Sequence, residues 1–194
     1  MTYVAQNFDH LLGIAGFSDQ LLKNHFTLYQ GYVTNTNKLL DTMMTMVKDG
    51  KTATPEFAEL KRRFGWEFNG MRLHELYFGN MVKGGKKHAT SSTLGTMLTE
   101  QFGSYEQWEA AFKAVGTMRG IGWAVLVYDP VGKKLFNLWV NEHDGGHLTG
   151  TVPLLIMDVF EHAFMLDYGL KRVDYISTFF NALDWSVVEK RMGV

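Results

Sequence analysis

At 194 residues the chain has room for one compact domain or two small ones, and 46% hydrophobic composition supplies a sizeable core. A formal net charge of −1 gives no general attraction for nucleic acid, and the absence of cysteine excludes disulfides, thiolate metal sites and cysteine nucleophiles. No run approaches the roughly 18 apolar residues of a membrane span, and the opening Met1-Thr-Tyr-Val-Ala-Gln6 lacks the basic and apolar regions of a signal peptide, so a cytoplasmic home without membrane or nucleic-acid partners is expected.

From Phe17 to Gly50 the residues Leu22, Phe26, Tyr29, Val33, Leu40, Met43 and Val47 recur every three or four positions, which predicts one face of a long helix. Ser18 is placed to cap its start and Gly50 to end it. A second helix begins at Thr54-Pro55, a cap followed by proline at the first helical position, and runs through Leu60, Phe64, Phe68, Met71 and His74 to about Met81. The short connection predicts an antiparallel hairpin, which brings His25 and His74 to similar height, with an offset of roughly 7 Å for tilt to absorb.

The glycine-rich, polar stretch Lys83 to Gly95 reads as a loop between two halves, an N-terminal helical hairpin domain over 1–88 and a C-terminal α/β domain over 89–194. Met97 to Val115 is expected as one helix, Ile121 to Tyr128 as a strand, Asp129 to Gly132 as a turn and Lys134 to Val140 as the antiparallel partner. Leu154 to Val159 joins the same sheet and delivers Asp158 at its end, and Tyr175 to Arg191 forms a closing helix. The fold class is therefore α+β, a helical hairpin followed by an α/β domain with a three-stranded antiparallel sheet.

From the end of that third strand, Asp158-Val-Phe-Glu-His162 sets a carboxylate and an imidazole four residues apart in an apolar setting. Buried polar groups need partners, and a metal ion would serve both. With His25 and His74 in apolar helical segments, three imidazoles and one carboxylate can converge on one ion, a donor set suited to redox-active iron or manganese.

With these residues in place, the chain resembles the iron/manganese superoxide dismutases along nearly its whole length. Asp158-Val-Phe-Glu-His-Ala-Phe-Met-Leu-Asp-Tyr168 is similar to the family's metal motif and Tyr32-Val-Thr-Asn-Thr-Asn-Lys-Leu39 to its first-helix signature. Phe102-Gly-Ser104, Gly122-Trp-Ala124 and Phe179-Phe-Asn-Ala-Leu-Asp-Trp185 match further blocks. The resemblance implies a cytoplasmic enzyme that disproportionates superoxide anion to oxygen and hydrogen peroxide, holding one Fe or Mn ion per subunit by His25, His74, Asp158 and His162 with solvent as fifth ligand. It also implies a homodimer or a tetramer.

The resemblance further assigns Tyr32 and His143 to the solvent ligand and proton transfer, and Arg172 to the substrate channel. Phe78, Trp123 and Phe160 form an aromatic wall, Gly70 stands where many relatives carry a glutamine, and Glu161 reaches the ligand histidine of a second subunit. Two departures stand out. The family has one more residue between its first ligand and the counterpart of Tyr32, so alignment from Tyr32 backwards offers Asn24 as ligand, whereas counting from Ser18 offers His25. A histidine and tyrosine that commonly pair across the dimer interface are replaced by Leu28 and Phe164. A hydrolytic metalloenzyme is disfavoured by the absence of His-Glu-x-x-His and a di-iron bundle by the absence of Glu-x-x-His. A non-catalytic metal-binding or interaction member of the same fold is the alternative. His10, His88 and His147 match no motif and read as surface or loop residues.

Overall fold

The computed structural model describes residues 2–193. Its first long helix, α1, spans Asp19–Lys48, and the side chain of Ser18 accepts from the Leu21 amide at its start. The buried face runs through Leu21, Leu22, His25, Phe26, Tyr29, Val33, Thr36 and Met43 at helical spacing. It stops short of the expected Val47, which is 50% exposed near the hairpin tip. That helix, α2, spans Pro55–Gly79, capped by Thr54 with proline in its first turn. The hairpin is thus set by its caps and its apolar stripe.

Beyond the connecting segment, the helix expected over Met97 to Val115 is two helices, α3 (Thr93–Phe102) and α4 (Tyr105–Gly116). Gly103 sits at φ 92, a left-handed backbone that ends α3, and the Ser104 hydroxyl accepts from the Gln107 amide to start α4. The sheet follows expectation within a residue or two. Strands β1 (Gly122–Asp129), β2 (Lys134–Asn141) and β3 (Val152–Asp158) form an antiparallel sheet in the order β2-β1-β3. Seven of the eight β1 residues are buried, as a central strand covered on both faces requires. Trp123 pairs with Asp158 across β1 and β3, so the sheet itself delivers both side chains at one level.

The closing helix is likewise divided. A short helix α5 (Met165–Tyr168) precedes α6 (Arg172–Asn181) and α7 (Trp185–Lys190). Between α6 and α7 the chain runs beside the segment after α2, with Val82 and Lys86 amides bonded to the Ala182 and Leu183 carbonyls, and Asp184 then caps α7. Those pairings outbid a continuous helix.

Candidate metal centre

Four elements meet at one buried point. His25 comes from α1 and His74 from α2, while β3 ends in Asp158 and the following 3-10 turn, Glu161–Ala163, carries His162. His25, His74 and Asp158 are fully buried, and the His162 side chain is 25% exposed. One donor atom from each of the four lies within 4.8 Å of all the others. Asp158 Oδ2 stands 3.1 Å from His25 Nε2, 3.2 Å from His162 Nε2 and 3.7 Å from His74 Nε2. The other oxygen, Oδ1, accepts from the Phe160 amide at 2.9 Å.

These distances fit an ion. Donors each about 2.0–2.2 Å from a metal lie about 3–4 Å from one another, which is the range of the three distances from Asp158 Oδ2, and the widest separation in the set, 4.8 Å, needs the imidazoles to close slightly on the ion. His74 Nε2 is buried with no hydrogen-bond partner among the described residues, while its Nδ1 donates to the Gly70 carbonyl at 2.6 Å. That bond fixes the ring with its lone pair aimed at the cluster, as a ligand histidine requires. His25 Nδ1 also lacks a partner among the described residues.

Protonation states agree. Burial pushes His25 and His74 below the ordinary histidine range, keeping both imidazoles neutral. Burial alone would raise the Asp158 carboxyl, but the charge and hydrogen bonds of His162 and His25 outweigh it and hold it well below the usual carboxylate range. For His162, burial is outweighed by Asp158 and the imidazole is raised. Two neutral nitrogens and an anionic oxygen are ready to receive a metal, and binding would displace the proton that Asp158 draws to His162.

His25 rather than Asn24 faces the cluster. Asn24 is exposed and bonds Gln20 on the outside of α1. The segment that starts α1 is pinned from the far end of the chain: Asp167 accepts from the Ser18 amide and hydroxyl, both at 2.7 Å, and the Tyr168 hydroxyl donates to the Gly16 carbonyl at 2.5 Å. With α1 uninterrupted, the seven residues from His25 to Tyr32 complete nearly two turns and keep both on one face.

Tyr32, His143 and Trp123 form a chain beside the cluster. The Tyr32 hydroxyl is 2.7 Å from His143 Nε2, and Trp123 Nε1 donates to His143 Nδ1 at 3.1 Å. An indole N–H only donates, so His143 Nδ1 carries the lone pair and, with the ring neutral, Nε2 carries the proton. Nε2–H therefore donates to Tyr32, whose own hydrogen is left to point elsewhere. Burial supports this by lowering His143 to about 4, and burial with the nearby Asp158 charge raises Tyr32 to about 12.

The Tyr32 ring stacks on His74 at 5.2 Å, and Phe160 lies between His143 and His162 with centroids 4.9 and 5.1 Å away. Phe78 packs edge-on to His25 at 4.9 Å and Trp123 edge-on to His74 at 5.0 Å, so Phe78, Trp123 and Phe160 each lie against a histidine of the cluster. Gly70 leaves room for Tyr32, because a Cβ there would come within 2.5 Å of its ring.

Two neighbours were not signalled by sequence. Trp66 meets the His143 ring edge-on at 5.0 Å, and Glu67, buried, pairs with Arg63 at 2.9 Å. Neither sits in a recognisable motif, though Trp66 lies one turn before Gly70 on the same helix.

The remaining expected residues lie further out. Arg172 donates to the Met118 and Gly120 carbonyls and lies 5.3 Å over the Phe164 ring. Glu161 and Arg172 line one depression of about 450 Å³. Phe164 is buried and stacked on Tyr175, whereas Leu28 is 43% exposed. His10 and His147 are exposed, as expected; His88 is half-buried and stacks on Tyr105 at 3.7 Å.

Residues 90–191 match the family model described as iron/manganese superoxide dismutases, C-terminal domain. A superoxide dismutase (Mn) 2 from Haloferax volcanii is 37% identical over 87% of this chain and 83% of its own length. Superoxide dismutases (Fe) from Saccharolobus solfataricus and Aquifex pyrophilus are 32% and 34% identical, over 84% and 94% of this chain and 79% and 88% of theirs.

Proposed function

This chain belongs to the iron/manganese superoxide dismutases, and we propose that His25, His74, Asp158 and His162 hold its ion while Tyr32 and His143 manage the protons of the reaction. It disproportionates superoxide to oxygen and hydrogen peroxide with one iron or manganese ion. The observation that carries the ligand assignment is the convergence of four donor atoms, drawn from both halves of the chain, within 4.8 Å.

When bound, the ion supplies one-electron chemistry, passing between +3 and +2 as one superoxide is oxidised and the next reduced. The chain does the rest. Asp158 contributes the anion that favours the higher charge, and three neutral imidazoles favour the lower. Forming hydrogen peroxide takes up two protons. Tyr32 holds its proton at neutral pH, and because His143 Nε2–H occupies the Tyr32 oxygen, the hydroxyl hydrogen is free to donate into the site. Phe78, Trp123 and Phe160 exclude bulk water from the cluster. Arg172 supplies positive charge for the approach of a small anion.

The same reading divides the chain into residues 1–88 and 89–194 and makes it a cytoplasmic homodimer or tetramer. Support for association is the apolar group Met118, Met165, Leu170 and Val173, between 46% and 90% exposed; Met165, Leu170 and Val173 are close in sequence to Glu161 and Arg172, and Met118 is the residue whose carbonyl Arg172 bonds. Elemental analysis with a superoxide assay tests the ligand set: His25→Ala and His162→Ala should lose metal and turnover, while Asn24→Ala keeps both. Loss of metal from Asn24→Ala with retention in His25→Ala would overturn it.

A further inference from the structure

His143 is held in part by His147, a residue that matched no motif. After β2 the chain enters a loop over residues 142–151 whose only fully buried side chain is His143. Glu142, immediately before it, sits at φ 52, a left-handed conformation that a side chain adopts only when its surroundings enforce it. The Glu142 amide donates to the Ile121 carbonyl at 3.0 Å, and Asn141 and Gly145 exchange main-chain bonds at 2.7 and 3.2 Å that close the turn, but neither bond reaches the His143 peptide inside it. Residues 144–150 include Gly145, Gly146 and Gly150, and beneath them, between α2 and the sheet, lies a cavity of about 230 Å³ lined by Leu73, Val125, Val140, His147 and Leu148. Gly146, at φ 102 and with no space for a Cβ against the Trp139 carbonyl, turns the chain back. That turn brings His147 Nε2 to 2.9 Å from the His143 carbonyl oxygen. A carbonyl only accepts, so His147 donates. Among the described residues this is the one hydrogen bond to the main chain of His143.

We propose that His147 is a positioning residue: its ring N–H clamps the His143 peptide so that the His143 imidazole stays between Trp123 and Tyr32. This rests on the reading of His143 as part of the proton pair. Without the clamp the segment after Gly145 relaxes over the cavity and the His143 peptide tilts within its closed turn, so that His143 departs from the 2.7 Å contact and Tyr32 is no longer held in its donating orientation. The clamp acts on proton delivery and not on superoxide approach, so kcat should respond and kcat/KM should not.

The test compares His147→Ala, His147→Gln and His143→Ala in the full-length protein. In the metal-free form with labelled histidine, the His143 Nε2 proton should exchange slowly in the parent and in His147→Gln, whose amide N–H replaces the donor, and at least tenfold faster in His147→Ala. In the metal-loaded form, kcat should fall about fivefold in His147→Ala at unchanged kcat/KM and metal content, with recovery in His147→Gln. Parent-like exchange and kcat in His147→Ala would overturn the clamp, as would a glutamine variant that behaves like alanine. If His143→Ala itself leaves kcat unchanged, the proton-pair reading falls, and the exchange result shows separately whether His147 holds the ring.

Discussion

Gly70→Ala separates stability from turnover. A Cβ at Gly70 would lie 2.5 Å from Tyr32 Cδ1 and 2.7 Å from Cε1. The ring would have to retreat by roughly 0.9 Å to restore ordinary contact, since overpacked cores relieve such clashes by shifting side chains. That retreat stretches the 2.7 Å Tyr32–His143 contact past the roughly 3.2 Å limit of a good hydrogen bond. For stability the terms oppose: alanine is about 1 kcal/mol better than glycine inside a helix, and overpacking costs about 1–3 kcal/mol. The net loss is about 0–2 kcal/mol, or about 0–8 °C in Tm for a chain of this size. Misplacing a proton donor by nearly an ångström costs about tenfold to a hundredfold in kcat. Gly65→Ala on the same helix is the control, because its Cβ meets only the Asp144 Cβ at 3.9 Å. It should gain up to about 1 kcal/mol at unchanged kcat. Calorimetry, elemental analysis and pulse-radiolysis turnover read all three quantities. A Gly70→Ala enzyme with full kcat and an unmoved Tyr32 in its crystal structure would refute the reasoning.

Acid should destabilise the protein through His143. Its folded pKa of about 4 lies below the ordinary 6.5, so the unfolded chain takes up a proton that the folded chain refuses, and stability present above pH 6.5 is lost as pH falls towards 4. The loss approaches about 3 kcal/mol, and denaturant titration of metal-free parent against His143→Gln should show that difference shrink in the variant. Chelation should lower Tm: an ion at a thousandfold excess over Kd adds about 4 kcal/mol, or about 8–16 °C, and an unchanged melting curve would contradict ligation by these buried groups. Asp167→Ala, which removes both bonds to Ser18, should cost about 1 kcal/mol and lower metal retention, as equilibrium unfolding and dialysis against chelator will report.

The hairpin and the strands were legible because caps, proline and apolar spacing all lie close to the residues they govern. Ser18, Thr54 and Pro55 each act within one turn. What sequence misjudged depends on distant partners. The stretch from Met97 to Val115 has helical spacing on both sides of Gly103, so periodicity alone runs through a break that one left-handed glycine makes. The break before α7 is bought by pairing with residues near Val82 and Lys86, about 100 positions away. In the site, the four donors stood out as polar groups in apolar surroundings. Trp66 did not, because an aromatic residue on a helix has many ordinary reasons to be there. His147 did not, because its role is a single bond to a main-chain oxygen, and main-chain oxygens carry no sequence signal.

The site is held by ties outside it, on three of the four elements that bring a donor. Asp167 grips the start of α1, less than two turns before His25. At the far end of α2, Asn80 donates to the Ile156 carbonyl at 2.6 Å, and Arg191 bonds the Leu76 and Leu154 carbonyls at 3.0 and 2.7 Å, which locks the helix of His74 to the strand of Asp158. Tyr175 donates to the Asp158 carbonyl at 2.6 Å and is itself met by Tyr77, both buried. Each tie falls within two turns of a helical donor or two residues of the carboxylate, short enough to transmit position through regular backbone. The donors are thereby brought together by folding, with the raised His162 imidazole compensating the buried Asp158 carboxylate, and an ion entering this cluster has little chain left to order.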